Sequence, residues 1–108
     1  LSNLKIPEEA LHYAHQVAGH RGWVVNPDGR LLKPLLQGLV DQSQRWNLPL
    51  CPCRDVDDVE KNRDIVCPCI YAAPDIAEHG QCYCGLFLSP EKNPQDVASI
   101  PERRPDQH

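Results

Sequence analysis

Apolar positions recur with helical spacing in two stretches of this chain. Leu31, Leu32, Leu35, Leu36, Leu39 and Val40 repeat as i, i+1, i+4, i+5, i+8, i+9. Such a wide apolar stripe predicts the main core helix, and Trp46 extends it. Pro34 falls inside the stripe. The helix therefore either starts near Lys33, with Pro34 in its first turn, or kinks there. Asn47-Leu48-Pro49 breaks it. Upstream, Ala10, Leu11, Ala14, Val17 and Ala18 mark another helix. Pro7-Glu8-Glu9 suits its first turn, because Pro tolerates the start and carboxylates complement the positive dipole end. Gly19 or Gly22 ends it. Residues 1–6 form a lead-in, Trp23-Val24-Val25 a short extended stretch, and Asn26-Pro27-Asp28 a turn or helix cap.

Beyond Pro49 the pattern weakens. From Arg54 to Val66 the chain is dense in charge (Arg54, Asp55, Asp57, Asp58, Glu60, Lys61, Arg63, Asp64), with Val56, Val59, Ile65 and Val66 apolar. A short, mostly exposed helix fits. A calcium loop does not, since the glycine its turn needs is missing. Ala73 to Glu78 predicts one or two helical turns stopped by His79-Gly80. Gly85-Leu86-Phe87-Leu88 reads as extended and buried. Pro90, Pro94, Pro101 and Pro105 forbid long regular structure after Ser89, and residues 101–108 are expected to be mobile. The expected fold is mostly α: one small domain over 1–108, of about four to five short helices, ordered over about 7–92, with an irregular Pro-rich C-terminal segment.

Composition changes this picture in one respect. A 108-residue chain with one Phe, two Trp, three Tyr and no Met has little to build a core from. Eleven prolines and six glycines add irregularity, and such domains often need a covalent or metal staple. The net charge of −4 argues against nucleic acid as the main partner. No apolar run approaches the roughly 20 residues of a membrane span, and no signal-peptide pattern opens the chain. A cytoplasmic setting is expected, or the plastid stroma if a leader was removed. His12 and His15 are three apart, but no carboxylate or cysteine joins them at ligand spacing, so they read as solvated or rim histidines.

The staple candidate is the cysteine set. All six cysteines fall within 34 residues, as Cys51-Pro52-Cys53, Cys67-Pro68-Cys69 and Cys82-Tyr83-Cys84. Thirteen residues separate the first two pairs and twelve the last two. A disulfide framework is one reading, weakened by the regular spacing and the lack of an export signal. Structural zinc is another, but four thiolates fill a zinc site and two are left over. A 4Fe-4S cluster also takes four thiolates. Its two spare thiols would then sit beside a one-electron carrier as a dithiol couple. By spacing, any four of the six could be ligands.

The motifs go further than the spacing. Leu50-Cys51-Pro52-Cys53-Arg54, Cys67-Pro68-Cys69 and Cys82-Tyr83-Cys84-Gly85-Leu86-Phe87-Leu88-Ser89-Pro90 resemble the catalytic subunit of ferredoxin:thioredoxin reductases. Tyr13-Ala14, Asn26-Pro27-Asp28 and the Leu-rich helix before Pro49 resemble that family's lead-in, so the likeness covers roughly residues 10–92. It implies that Cys51, Cys67, Cys69 and Cys82 hold a 4Fe-4S cluster around which the helices pack. It implies that Cys53 and Cys84 form the active-site disulfide, with Cys53 the outer nucleophile and Cys84 against the cluster. The implied activity passes electrons singly from a ferredoxin-like donor to a thioredoxin or thioredoxin-like disulfide, with a small variable subunit as a further candidate partner. The competing reading is a non-catalytic structural cluster- or zinc-binding module.

Two departures stand out. The family's usual third pair is Cys-His-Cys, with a histidine thought to manage protons. Tyr83 replaces it here and is the third catalytic candidate. A tyrosine near pKa about 10 is a poorer neutral-pH shuttle than a histidine near about 6.5. His79 is close in sequence, but also reads as a helix C-terminal cation. The second insert is longer than usual, so Ala72 to Gly80 is expected to shape a different docking face. An acidic donor would need cations, for which Arg45, Arg54, Lys61, Arg63, Lys92, Arg103 and Arg104 are candidates on an otherwise mixed surface.

Overall fold

The computed structural model describes residues 4–54 and 56–105. Residues 1–3 of the lead-in and 106–108 of the tail lie outside the described residues. Helix α1 spans Pro7–Arg21, strand β1 Val24–Val25, helix α2 Gly29–Trp46, helix α3 Ala72–His79 and strand β2 Phe87–Leu88. Two 3-10 helices, Glu60–Ile65 and Pro94–Asp96, complete the described elements. The domain is small and mostly α, as the periodicity predicts.

In α1 the buried positions are Ala10, Ala14 and Ala18, the i, i+4, i+8 face, and it packs on α2. Gly22 ends it at φ 76°, with its N–H on the Ala18 carbonyl. His12, His15 and His20 point to solvent.

Helix α2 begins at Gly29, four residues before Lys33, so of the two expected arrangements the helix runs through Pro34 rather than starting beside it. The Asp28 side chain accepts from the Arg30 N–H, which satisfies one orphan donor of the first turn. Pro34 is thus interior, where it removes one backbone bond. The carbonyl losing that bond belongs to Arg30, and both Arg30 and Pro34 are exposed, so water can satisfy it. Leu35, Leu36, Leu39 and Val40 are buried, while Leu31 and Leu32 are half-buried. The stripe is core along its length.

The strands pair antiparallel, Val24 with Leu88 and Val25 with Phe87. This joins the end of α1 to the segment after the third cysteine pair. Trp23 packs on Phe87 at a ring-centroid distance of 5.6 Å. Asn26 fastens the joint. It is 1% exposed, its Nδ2 donates to the Gly85 carbonyl at 2.9 Å, its own N–H donates to the Leu86 carbonyl at 2.8 Å, and its Oδ1 accepts from the Asp28 N–H. Replacing Asn26 with Ala strands a buried carbonyl and a cap donor. The expected cost is about 2 kcal/mol, read as a lower denaturant midpoint with an unchanged slope.

The charged stretch forms a 3-10 helix, with Asn62 and Ile65 buried beneath it. Glu102, Arg103 and Arg104, in the tail expected to be mobile, each make ion pairs. Glu102 pairs with Arg54, Arg103 with Asp75 and Glu78, and Arg104 with Asp64. Among the described residues, no helix is long and apolar enough to cross a membrane.

Candidate active site

Backbone bonds bring the three cysteine pairs together. The Cys51 N–H donates to the Ile65 carbonyl and the Cys67 N–H to the Pro49 carbonyl, both at 2.8 Å. Leu50 and Val66 form a bridge between these bonds. The first pair is thereby clipped to the second. The Tyr13 hydroxyl of α1 donates to the Cys67 carbonyl, and the Cys67–Pro68 peptide is cis. The third pair sits in a tight loop between α3 and β2, closed by Cys82 N–H to Phe87 O (3.0 Å) and Gly85 N–H to Cys82 O (2.9 Å).

Two glycines set this geometry. Gly85 turns the loop at φ 78°, and a Cβ there would meet Val97 Cγ1 at 2.9 Å. Gly38 lets α2 lie against the first pair, since a Cβ there would fall 2.5 Å from Pro52 Cβ. Gln42, one turn further along α2, donates to the carbonyls of Cys51 and Arg54.

Cys51, Cys67, Cys69, Cys82 and Cys84 line one cavity, with Tyr83, Pro68, Ala72, Leu86 and Phe87 completing its wall. Four of these sulfur residues are buried and Cys84 is half-buried, whereas Cys53 is exposed. The Cys51 and Cys84 sulfurs stand 3.0 Å apart. The Phe87 N–H points at Cys82 Sγ from 3.4 Å. Cys53 lies outside the cavity wall, next to Cys51 and Cys84.

The thiols divide electrostatically. Burial raises the Cys67 thiol, and the neighbouring sulfurs raise it further. Burial likewise lifts Cys82 to about 11. Burial also raises Cys69, opposed by a hydrogen bond from Arg54. The exposed Cys53 thiol is instead lowered to about 4 by its interactions with Cys51 and Cys84. The hydrogen bond with Cys51, then the interaction with Cys53 and burial, push the Cys84 thiol up.

The donor set fits an iron–sulfur cluster. Four soft sulfur donors are buried together, where each thiolate alone would be costly, and backbone and guanidinium N–H groups face three of them, the kind of contact that tunes a cluster. Among the described residues, no three or more His, Cys, Asp or Glu side chains converge closely enough for a single metal ion. A cluster spreads its ligands over several irons, so its thiols need not converge on one point.

The side chain that the sequence placed wrongly is Arg54. Counted among cations for docking, it instead turns inward, its side chain 4% exposed. Its Nη1 lies 3.5 Å from both Cys51 Sγ and Cys69 Sγ. Nε and Nη2 each donate to Glu102 at 2.6 Å. The guanidinium carbon sits 4.5 Å from the Tyr83 ring centroid and 5.6 Å from that of Tyr71. Burial works against the Arg54 charge, but Glu102 and the Cys51 and Cys69 sulfurs outweigh it and raise its pKa. The other candidate cations are engaged too. Arg63 pairs with Glu60, Arg45 stacks on Trp46, and Lys92 bonds the His79 carbonyl. His79 lies beside Glu78, at 3.6 Å, away from the cavity wall. The Leu-Cys-Pro-Cys-Arg motif contains Arg54, but nothing in it says that the arginine faces the sulfurs. Glu102 carries no sequence signal at all.

Fold and site together define a small, mostly α domain built around a sulfur-lined cavity. The family model described as "Ferredoxin thioredoxin reductase catalytic beta chain" matches residues 3–103. The chain is 31% identical over 94 residues to the catalytic chain of ferredoxin-thioredoxin reductase from Synechocystis sp., covering 83% of this chain and 76% of that protein. It is 30% identical over 97 residues to the chloroplastic catalytic chain of Zea mays, covering 85% of this chain and 60% of that protein. Over 62 residues it is 37% identical to a chloroplastic catalytic chain of Spinacia oleracea, covering 55% of this chain and 40% of that protein. The chain belongs to the ferredoxin-thioredoxin reductase catalytic beta chain family, a family of oxidoreductases.

Proposed function

We propose that this chain reduces a disulfide on thioredoxin or a thioredoxin-like protein, drawing electrons from a ferredoxin-like donor. In this reading Cys51, Cys67, Cys69 and Cys82 hold a 4Fe-4S cluster, and Cys53 and Cys84 are the exchanging dithiol. One observation carries it: five sulfurs wall a single cavity while the sixth, Cys53, stands exposed beside two of them. The family relatives, each named a ferredoxin-thioredoxin reductase catalytic chain, support the donor and acceptor classes. A small variable subunit is a further partner of the same reading.

When bound, such a cluster supplies electrons one at a time, whereas a disulfide takes two. The protein's own residues do the rest. The Cys53 thiolate attacks one sulfur of the substrate disulfide. A Cys53–substrate bond forms, the substrate's own bond breaks, and one substrate thiolate leaves. Cys84 then gives up its proton and attacks Cys53, releasing the second substrate thiolate. The oxidation now resides in the Cys53–Cys84 disulfide, which two electrons and two protons reopen. Leu86, Phe87 and Ala72 line the cavity beside the half-buried Cys84, and Tyr83, next to Cys84 in the chain, lines it too.

Alkylation after mild reduction tests the division of labour. Cys53 is expected to label first, because a reactive thiol must be reachable. Labelling of Cys67 or Cys69 ahead of Cys53 overturns the assignment.

A further inference from the structure

Arg54 is the one charged side chain that reaches the buried sulfurs, among the described hydrogen bonds and ion pairs. Its contacts are divided with no overlap. Five N–H donors are available on a planar guanidinium. The Nε and Nη2 edge is taken by both oxygens of Glu102, at 2.6 Å each. A bidentate fork of this kind fixes the plane and direction of the group. What remains is Nη1, aimed at Cys51 Sγ and Cys69 Sγ, 3.5 Å from each. The rings of Tyr83 and Tyr71 lie near the same guanidinium.

Glu102 is itself held. Arg103, the next residue, pairs with Asp75 at 2.8 Å and also with Glu78 on α3. Arg104 pairs with Asp64 at 2.8 Å and bonds Asn62 in the 3-10 helix. Three consecutive tail residues are therefore tied to three places: the residue after the first cysteine pair, the segment before the second, and the helix before the third. The tail spans the elements that carry all three pairs, and Glu102 is the member that touches the site.

We infer that Glu102 is a positioning residue: by gripping two nitrogens of Arg54 it holds the third against the sulfurs of Cys51 and Cys69 and so sets the redox potential of the group they hold. This rests on the proposed function, in which those two cysteines are cluster ligands. The physical basis is general. N–H donors and positive charge at ligand sulfurs disperse the negative charge added on reduction and raise the potential.

The two roles open to Glu102 predict opposite signs. Acting through its own charge, the carboxylate opposes reduction, so its removal raises the potential. Acting through Arg54, it maintains the sulfur contacts, so its removal lowers the potential. The experiment is an anaerobic redox titration of the iron-loaded chain as wild type, Arg54→Gln, Glu102→Ala and Glu102→Gln, with iron content measured on each. The expected result is a more negative potential in Arg54→Gln and in Glu102→Ala. Glu102→Gln, which keeps one oxygen for Arg54, is expected to fall between wild type and Glu102→Ala. A potential above wild type in either Glu102 variant overturns the inference. So does loss of iron from both Glu102 variants, which would leave Glu102 a structural duty alone. An iron-free wild type fails the cluster assignment itself, before any variant enters.

Discussion

Replacing Cys53 with serine is expected to abolish disulfide reduction while leaving the iron content unchanged. The two halves of this result come from different parts of the structure. Cys53 is the one exposed cysteine of the six, and it does not line the cavity shared by the other five. A hydroxyl there neither ionises near neutral pH nor forms a disulfide, so the first exchange step is lost. Removing a nucleophile of this kind lowers turnover by a factor on the order of 10⁴ or more. The proposed ligand set excludes Cys53, so iron and its absorption are expected to persist. The check is donor-driven reduction of a thioredoxin disulfide, with iron assayed on the same samples. Retained turnover removes Cys53 from the nucleophile's role. Loss of iron moves it into the ligand set.

Cys67→Ala is expected to lose both the iron and the disulfide reduction, and to destabilise the fold. Cys67 is buried, lies in the cavity wall, and sits where two elements meet. Its N–H bonds the Pro49 carbonyl and its own carbonyl takes the Tyr13 hydroxyl. Those backbone contacts survive substitution; the sulfur does not. In the proposed assignment Cys67 is a cluster ligand, so its removal is expected to release the iron and the link that the cluster would make between the three cysteine loops. The apolar core is modest: two Trp and one Phe in 108 residues. Binding of a centre that exists only in the folded state is folding energy. Its loss is expected to cost about 5 kcal/mol or more, comparable with the whole stability of a small domain. Thermal unfolding followed by circular dichroism, with iron determined in parallel, measures both. A Cys67→Ala protein with full iron and an unshifted midpoint would refute this.

What the sequence made legible is what periodicity and local chemistry control. The alanine face of α1, the leucine stripe of α2, the glycine stops at Gly22 and Gly80, and the buried run at Phe87–Leu88 are all local patterns. The start of α2 was hidden because two local rules conflict. Pro34 argues for a late start, whereas Asp28 caps an early one, and exposure of Arg30 lets water take the hydrogen bond that the proline cannot give. The Val24–Leu88 pairing was hidden because its partners are 64 residues apart. A two-residue strand carries no register information of its own.

The site divides in the same way. Its cysteines announce themselves by type and spacing, and the motifs around them carry the family. The surroundings of those cysteines do not. Arg54 follows Cys53 in a charged segment and reads as a surface cation. It turns inward because Glu102, 48 residues later, meets its outer edge, and because Tyr71 and Tyr83 supply rings beside it. Each of those contacts is long-range, and none has a local signature. The same is true of the tail, where the charges of Arg103 and Arg104 are answered by Asp75 and Asp64.

In the proposed function, four buried thiols hold an iron–sulfur centre beside a reactive pair. The most direct test is the metal and sulfide content of the protein purified without oxygen, with its visible spectrum. The account predicts about four irons and four sulfides per chain with a broad sulfur-to-iron absorption, and no zinc. A colourless protein carrying one zinc would contradict it.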